Sequence, residues 1–244
     1  MNLYAWAAGM NADETLQHAA RLPGLGTVLY PRNYGAAPDL AVPPIAYLTL
    51  PHQAETLLEW HAERPFLCAI VGDEPNHDDP RRGHKSITPE QYRERWEPVY
   101  GLLRGKVAVH TAGLAPKGNW WQHLTRDLRY DWAYHRQLPD AEGRAFNANH
   151  VRLPYLLTVL AQDAGPWVLS PAPFRSAWNR FWEPVSVRAW ASISRHENVR
   201  AVALWCLQEV REASGRWQSE HGLLTPEGDL TVVGRDVQKA LGDL

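Results

Sequence analysis

Residues 66–76 read Phe66-Leu-Cys-Ala-Ile-Val-Gly-Asp-Glu-Pro-Asn76, an apolar run of strand length that ends in Gly72 and two acids. Burying a carboxylate costs free energy, so we expect the end of this strand to face a wet cleft. Parallel α/β folds place their active sites at that end of their strands. Asp73 and Glu74 are therefore the first candidates for chemistry. The alternative interpretation is that both acids begin the next helix, where they suit its dipole.

The chain on either side of this stretch alternates short apolar runs with amphipathic segments of helical length. The helix over 12–22 is expected to begin at Asn11 as N-cap, and the helix up to residue 104 at Thr88 with Pro89 in its first turn. Further helices are predicted over 53–63, 120–129, 147–163, 176–196 and 232–241. The predicted strands are 3–8, 26–30, 45–50, 66–71, 106–110, 132–135, 166–170 and 199–207.

Eight strands that alternate with helices predict a parallel sheet with right-handed crossovers. Eight such units in about 250 residues close a (β/α)8 TIM barrel, so we expect an α/β protein with one barrel domain over residues 1–244. The alternative is an open doubly wound sheet, which would need fewer strands. No glycine pattern that cradles a phosphate supports that alternative.

Composition narrows the class of function. Lys and Arg number 25 against 27 Asp and Glu, a net charge of −2, which argues against a nucleic-acid or membrane-surface binder. Cys68 and Cys206 lie in apolar runs, as small buried hydrophobes do. The N-terminal sequence has no signal-peptide pattern, which predicts a cytoplasmic protein, with release by cell lysis as the alternative. Twelve tryptophans favour a carbohydrate cleft, because indole rings stack on sugars.

Polar side chains gather at the ends of the predicted strands. Each alone has a simple explanation, because polar residues often end strands. Together they suggest a site for a polyhydroxylated ligand, with Trp205 as its apolar floor. In strand order they are Arg32 and Asn33, then His52, then Asp73, Glu74 and Asn76, then His110, His135 and Ser170, and last Gln208 and Glu209.

Four pieces of the sequence resemble the clan A glycoside hydrolases, which are TIM-barrel enzymes. Residues 72–76 resemble the Asn-Glu-Pro signature after strand four, and residues 130–135 a strand-six pattern in which an Asp opens a strand that ends in His. Residues 202–207 resemble strand eight with a Trp under the sugar, and residues 222–229 the closing Gly-Leu turn. The resemblance implies that Glu74 is the acid/base.

The chain departs from the pattern of that family at several positions, and one of them is the position of the second carboxylate. Ser170 stands near the place of the clan's nucleophilic Glu on strand seven, with no acid nearby, and Asp73 stands where the clan has Asn. The spacing from Asp131 to His135 is also about one residue short. Glycosidases need two carboxyl groups, about 5–5.5 Å apart for retention and about 6.5–9.5 Å for inversion. Glu209 is the best substitute in this chain, and Asp131 and Asp73 are weaker ones.

Three hypotheses follow. The first is a glycoside hydrolase without a cofactor, with Glu74 and Glu209 catalytic and a saccharide bound by Asp73, Asn76, Arg32, His110, His135, Asp131 and Trp205. The second is a catalytically silent barrel that binds carbohydrate. The third is a metal-dependent enzyme acting on a sugar, with Glu74, His110, His135 and Glu209 as ligands, although no close His-x-His spacing supports it.

Overall fold

The computed structural model describes residues 2–78, 85–114, 132–148, 156–157, 160–161, 165–172, 187–208 and 222–242. Eight parallel strands form a closed barrel in sequence order, with β1 beside β8. This confirms the predicted TIM-barrel fold. The strands are β1 (Leu3–Trp6), β2 (Gly26–Leu29), β3 (Ile45–Leu48), β4 (Cys68–Asp73), β5 (Val109–Gly113), β6 (Gly143–Phe146), β7 (Trp167–Ala172) and β8 (Val199–Leu204).

Both faces of the strands are buried, as a parallel sheet covered by helices requires. Alternate residues belong to two separate apolar clusters. On β1, Tyr4 and Trp6 join the inner cluster, while Leu3 and Ala5 join the larger cluster between the barrel and its helices. This period of two explains why the sequence shows short continuous apolar runs.

The described helices are α1 (Ala12–Ala19), α2 (Pro51–Glu63), α3 (Pro89–Leu103), α4 (Trp132–Arg136), α5 (Val187–Ile193) and α6 (Val232–Gly242). A 3-10 segment over Pro31–Asp39 follows β2. Asn11 and Thr88 cap α1 and α3 as predicted, each in a reciprocal capping box. No helix among the described residues is long and apolar enough to cross a membrane.

The prediction for strand six was wrong. Residues 132–136 form α4, in which Tyr134 and His135 are buried, and β6 lies later, at Gly143–Phe146. Strand five also differs, because it covers Val109–Gly113 instead of 106–110. Both strands carry small or charged residues that weaken the apolar signal, and pairing with their neighbours places them. The helix predicted over 120–129 lies outside the described residues.

Candidate active site at the mouth of the barrel

An aromatic cluster lies at the mouth, where the strands have their carboxyl ends. Trp6 of β1 is at its centre, and its ring centroid lies 5.4 Å from that of Tyr30, 5.3 Å from Tyr47 and 6.0 Å from Trp205. Trp6 is buried, whereas the other three rings are half-buried. Trp205 directly follows β8, and its peptide bond to Cys206 is cis. The mouth therefore has an apolar wall of the kind that stacks against a sugar ring.

Glu74 directly follows β4 and is half-buried. Its backbone is in the left-handed region, with φ of 40°, and its N–H donates to the Gly113 carbonyl oxygen at 2.9 Å. The Asn147 side-chain Nδ2 donates a hydrogen bond to Glu74 Oε1. The end of β5 and the residue after β6 thus hold both the backbone and the carboxylate of Glu74.

Asn147 is a site residue that the sequence analysis missed. It is buried, directly after β6, and the sequence analysis had assigned it to the start of a helix over 147–163. Had the run Gly143-Arg-Ala-Phe146 been recognised as a strand, Asn147 would have stood at its tip. Gly113 makes room for the backbone at this point, because a Cβ on Gly113 would lie 3.1 Å from the Ser170 carbonyl oxygen and 3.3 Å from the Asn147 backbone nitrogen.

Asp73 faces the aromatic cluster from the end of β4. Its side chain is exposed, and its residue pairs with Gly113 in the sheet register. Burial raises the pKa of both Tyr30 and Tyr47, and the negative charge of Asp73 raises each pKa further. Asp73 is therefore close to both phenols, and Asn76 lies in the turn that follows, half-buried.

Ser170 occupies the mouth on β7. It is buried, and its Oγ accepts a hydrogen bond of 2.9 Å from Trp6 Nε1, which fixes the central indole of the aromatic cluster. The described segment Trp167–Ala172 contains no carboxylate. This agrees with the sequence, which has Ser170 and no acid at this strand.

His110 lies away from the mouth, in contrast to its predicted place. It is the second residue of β5, is fully buried, and accepts a hydrogen bond of 2.9 Å at Nε2 from Arg200 near the start of β8. Burial, with a further contribution from the Arg200 charge, lowers the pKa of His110 to about 3. The sequence analysis ended the strand at this residue, whereas three more residues follow. His110 is therefore not a residue of the candidate site.

His135 is also displaced from the site. It is buried on α4, and its Nδ1 shares a hydrogen bond of 2.9 Å with Thr111 Oγ1. Burial and the nearby Arg144 charge lower its pKa to about 3. The strand expected to carry His135 to the mouth is a helix, and the histidine packs against Trp167, with ring centroids 6.1 Å apart.

Asp131 and Glu209 lie outside the described residues. Among the described residues, no group of three or more His, Cys, Asp or Glu is arranged to hold a metal ion. The metal hypothesis needed His110 and His135 to converge on Glu74, and neither histidine lies at the mouth.

A cavity of about 300 Å³ adjoins the mouth between the ends of β3 and β4 and the helix α3. Tyr47 and Asp73 line it on the barrel side, and Lys85, Arg95 and Trp96 on the other. On the opposite side of the aromatic cluster, the exposed Arg32 lies over the Tyr30 ring, with its guanidinium carbon 5.5 Å from the ring centroid. Charged side chains thus border both the aromatic cluster and the cavity.

Comparison with known proteins finds solved structures that share the barrel fold of this chain. No protein-family model matches the chain, and no curated protein sequence matches it. Among solved structures, a GH128 subgroup I endo-beta-1,3-glucanase from Amycolatopsis mediterranei in complex with laminaritriose matches with a TM-score of 0.63 and 12% identity, over 98% of this chain and 99% of that one.

Two further structures come from different enzymes. A GH128 subgroup II endo-beta-1,3-glucanase from Pseudomonas viridiflava matches with a TM-score of 0.61 and 13% identity, over 97% of this chain and 96% of that one. A GH2 beta-galacturonidase from Eisenbergiella tayi bound to galacturonate matches with a TM-score of 0.64 and 11% identity, over 100% of this chain and 52% of that one. At these identities the likeness establishes a shared barrel fold.

Proposed function

We propose that this barrel is a glycoside hydrolase that binds a saccharide at its mouth, with Glu74 as the general acid/base. The observation that carries the proposal is the placement of Glu74 at the end of β4, held by Asn147 and bordered by the aromatic cluster. Glycoside hydrolysis needs a carboxyl group fixed beside the glycosidic oxygen and a surface that orients the sugar. This arrangement can supply both.

Glu74 would act first as an acid. Its carboxyl proton passes to the glycosidic oxygen as the bond to the anomeric carbon breaks, and the resulting carboxylate can then deprotonate water. Asn147 donates to Oε1 and so orients the carboxyl group for this transfer. In this scheme Asn147 is a positioning residue, because it acts through Glu74.

The aromatic cluster would bind the sugar. Tyr30, Tyr47 and Trp205 are half-buried and therefore keep part of their rings accessible. Trp6 is held by Ser170, which keeps the wall rigid in the absence of a ligand. Preorganised rings lose little conformational entropy on binding, and this favours sugar stacking. Asp73 and Asn76 border this wall and would hydrogen-bond to sugar hydroxyl groups.

Glu209 is the proposed second carboxylate. It stands five positions after Leu204, the last residue of β8. Because β8 is a strand of the same parallel barrel, we expect the chain that follows it to reach the mouth where Glu74 lies. The separation of the two carboxyl groups would decide whether the anomeric configuration is retained or inverted. Asp131 and Asp73 remain the weaker candidates for this role.

One observation favours a second function, a barrel that binds carbohydrate without cleaving it. The described part of β7 carries Ser170 where the clan A resemblance expects an acid, and Ser170 is occupied by its bond from Trp6. If none of Glu209, Asp131 and Asp73 serves as the second carboxylate, Glu74 alone cannot complete the reaction. The barrel would then retain only the binding wall.

Turnover of oligosaccharides by Glu74→Gln tests the proposal. The neighbour that binds laminaritriose makes β-1,3-glucan the first probe, followed by oligosaccharides of other linkages. Loss of the carboxyl proton should lower kcat by at least about 100-fold, since general acid catalysis contributes that much. Glu59→Gln, on the exposed side of α2, is the matched control and should keep full activity.

Each outcome decides between the two functions. Hydrolysis lost in both Glu74→Gln and Glu209→Gln supports the assignment of the two carboxylates. Full activity of Glu74→Gln would refute the role of Glu74. Saccharide binding by the parent protein with no turnover during a long incubation would establish the silent binder.

A further inference from the structure

Three cations border the mouth and its adjoining cavity. Arg32 lies on the 3-10 segment after β2, Lys85 precedes α3, and Arg95 lies within α3. All three side chains are exposed. In the part of the chain that the structure describes, no carboxylate forms an ion pair with any of them. Their charges are therefore available to a ligand.

Arg32 is already oriented toward the aromatic wall. Its guanidinium lies over the Tyr30 ring, and the cation–π contact holds the side chain without using its N–H donors. Tyr30 also contacts Trp6 and Tyr47, at centroid distances of 5.4 and 5.2 Å. A sugar stacked on this wall would place its substituents within the field of Arg32.

Lys85 and Arg95 lie in the cavity that adjoins the aromatic wall. Both line the cavity of about 300 Å³, a volume at the lower end of the range of small-molecule sites. Tyr47 belongs to both the cavity and the aromatic cluster, so the cavity borders the aromatic wall. Asp73 is the one acid that lines this cavity among the described residues, against two cations.

This local excess of positive charge contrasts with the whole chain, whose net charge is −2. A neutral glucan offers hydroxyl groups, which Asp73, Asn76 and the aromatic rings can bind. A carboxylated sugar also offers an anion, for which Arg and Lys form stronger, charge-assisted hydrogen bonds. One cation over the wall and two in the adjoining cavity, none of them paired with a carboxylate among the described residues, therefore suit an anionic saccharide better than a neutral one.

We propose that the substrate of this site is an acidic polysaccharide whose sugars carry carboxylates, and that Arg32, Lys85 and Arg95 determine this specificity. The proposal rests on the proposed function and names its substrate class. The cations would act on sugars next to the cleaved bond, with Glu74 left to the proton transfer. A sulfate group offers the same negative charge, and the probes below separate it from a carboxylate.

Equilibrium binding to Glu74→Gln, in which turnover is suppressed, is the test. The probes are sets of glycans with one linkage each: laminarin, laminarin oxidised to carboxylates at C6, and sulfated laminarin, with the same three forms of a β-1,4-glucan. In at least one set, the oxidised form should bind at least tenfold more tightly than its neutral parent and more tightly than the sulfated form. The preference should fall as salt is raised.

Variants locate the effect. Arg32→Gln, Lys85→Gln and Arg95→Gln should each reduce the preference for the oxidised form by about tenfold or less, because each removes one charge-assisted contact. Together they should abolish it. Arg21→Gln, an exposed cation beyond the end of α1, is the matched control and should leave the preference unchanged.

The outcomes separate this inference from the proposed function. Equal or tighter binding of the neutral parents, a preference for sulfate, or a preference that survives the triple variant would overturn the inference alone. Tighter binding of the oxidised form without hydrolysis by the parent protein would refute the hydrolase, whereas the specificity of the three cations for carboxylated sugars would stand. No binding to any of the six glycans would overturn the inference, and absence of turnover as well would count against both.

Discussion

The buried histidine His110 should make the protein progressively less stable in acid. Its Nε2 accepts from Arg200, a cation that cannot give up its proton, so the folded barrel holds His110 neutral. The pKa of His110 is about 3 in the folded state and about 6.5 in the unfolded chain. Between these values the unfolded state binds one more proton than the folded state. The contribution of neutral His110 to the free energy of unfolding is therefore fully present above about pH 6.5 and is lost as the pH falls below that value.

The magnitude follows from the size of that difference. Each pH unit inside the interval costs about 1.4 kcal/mol of unfolding free energy per histidine, so a change from pH 8 to pH 4.5 costs about 2 to 3 kcal/mol. His135, equally buried and with its pKa lowered to about 3, adds a similar loss. The two histidines together would remove about 5 kcal/mol, a large part of the stability of an ordinary domain.

His110→Gln removes the titration and keeps an acceptor for Arg200. Urea unfolding at pH 8 and pH 4.5 measures the change in unfolding free energy for each protein, with the slope m checked for constancy. The variant should lose about 2 to 3 kcal/mol less than the parent over this range. His52→Gln, an exposed site on α2, is the control and should behave as the parent does.

The same acid sensitivity in His110→Gln and in the parent would refute the linkage. An independent measurement on the parent protein is an NMR titration of the His110 ring. Its Cε1–H signal should show no protonation step between pH 8 and pH 4.5 while the barrel remains folded. A step near pH 6.5 would show that the folded state accepts the proton, in contradiction to the burial and the Arg200 contact.

Two further predictions concern a glycine in the barrel and the residue that holds Glu74. Gly143→Ala places a Cβ inside the ring of His110 and should destabilise the protein by about 1–3 kcal/mol. Gly101→Ala in α3, where a Cβ meets nothing within 4 Å, should instead stabilise the protein by about 0.5–1 kcal/mol. Urea unfolding that gives the opposite order of stability for the two variants would contradict the packing. Asn147→Ala should lower kcat for glycan hydrolysis by about 10- to 100-fold with a smaller change in KM, and an unchanged kcat would show that Glu74 needs no such partner.

The sequence was sufficient for the features that depend on neighbouring residues. Asn11 and Thr88 were predicted as caps because each satisfies backbone N–H groups within three positions. The strand before Glu74 was predicted because buried parallel strands need continuous apolar runs. The alternation of eight such strands with helices was enough to predict a closed barrel, even with strand six in the wrong place.

The position of β6 and the true end of β5 required the tertiary structure. Gly143–Phe146 has a weak apolar signal of its own, and it becomes a strand because β5 and β7 satisfy its backbone groups on both sides. The true end of β5 determines where His110 lies. The strand continues for three residues after His110, so its tip is Gly113. The local pattern at 106–110 contains nothing that specifies this register.

By itself, then, the sequence determined the barrel and put Glu74 at the end of a strand, because these depend on local burial and periodicity. Only the folded structure decided which distant groups meet. Asn147 reaches Glu74 across 73 positions, Arg200 reaches His110 across 90, and Trp6 reaches Ser170 across 164. Such contacts form because closing the barrel brings distant strands together. The free energy of closure depends on the pairing of all eight strands. No short stretch of sequence encodes it.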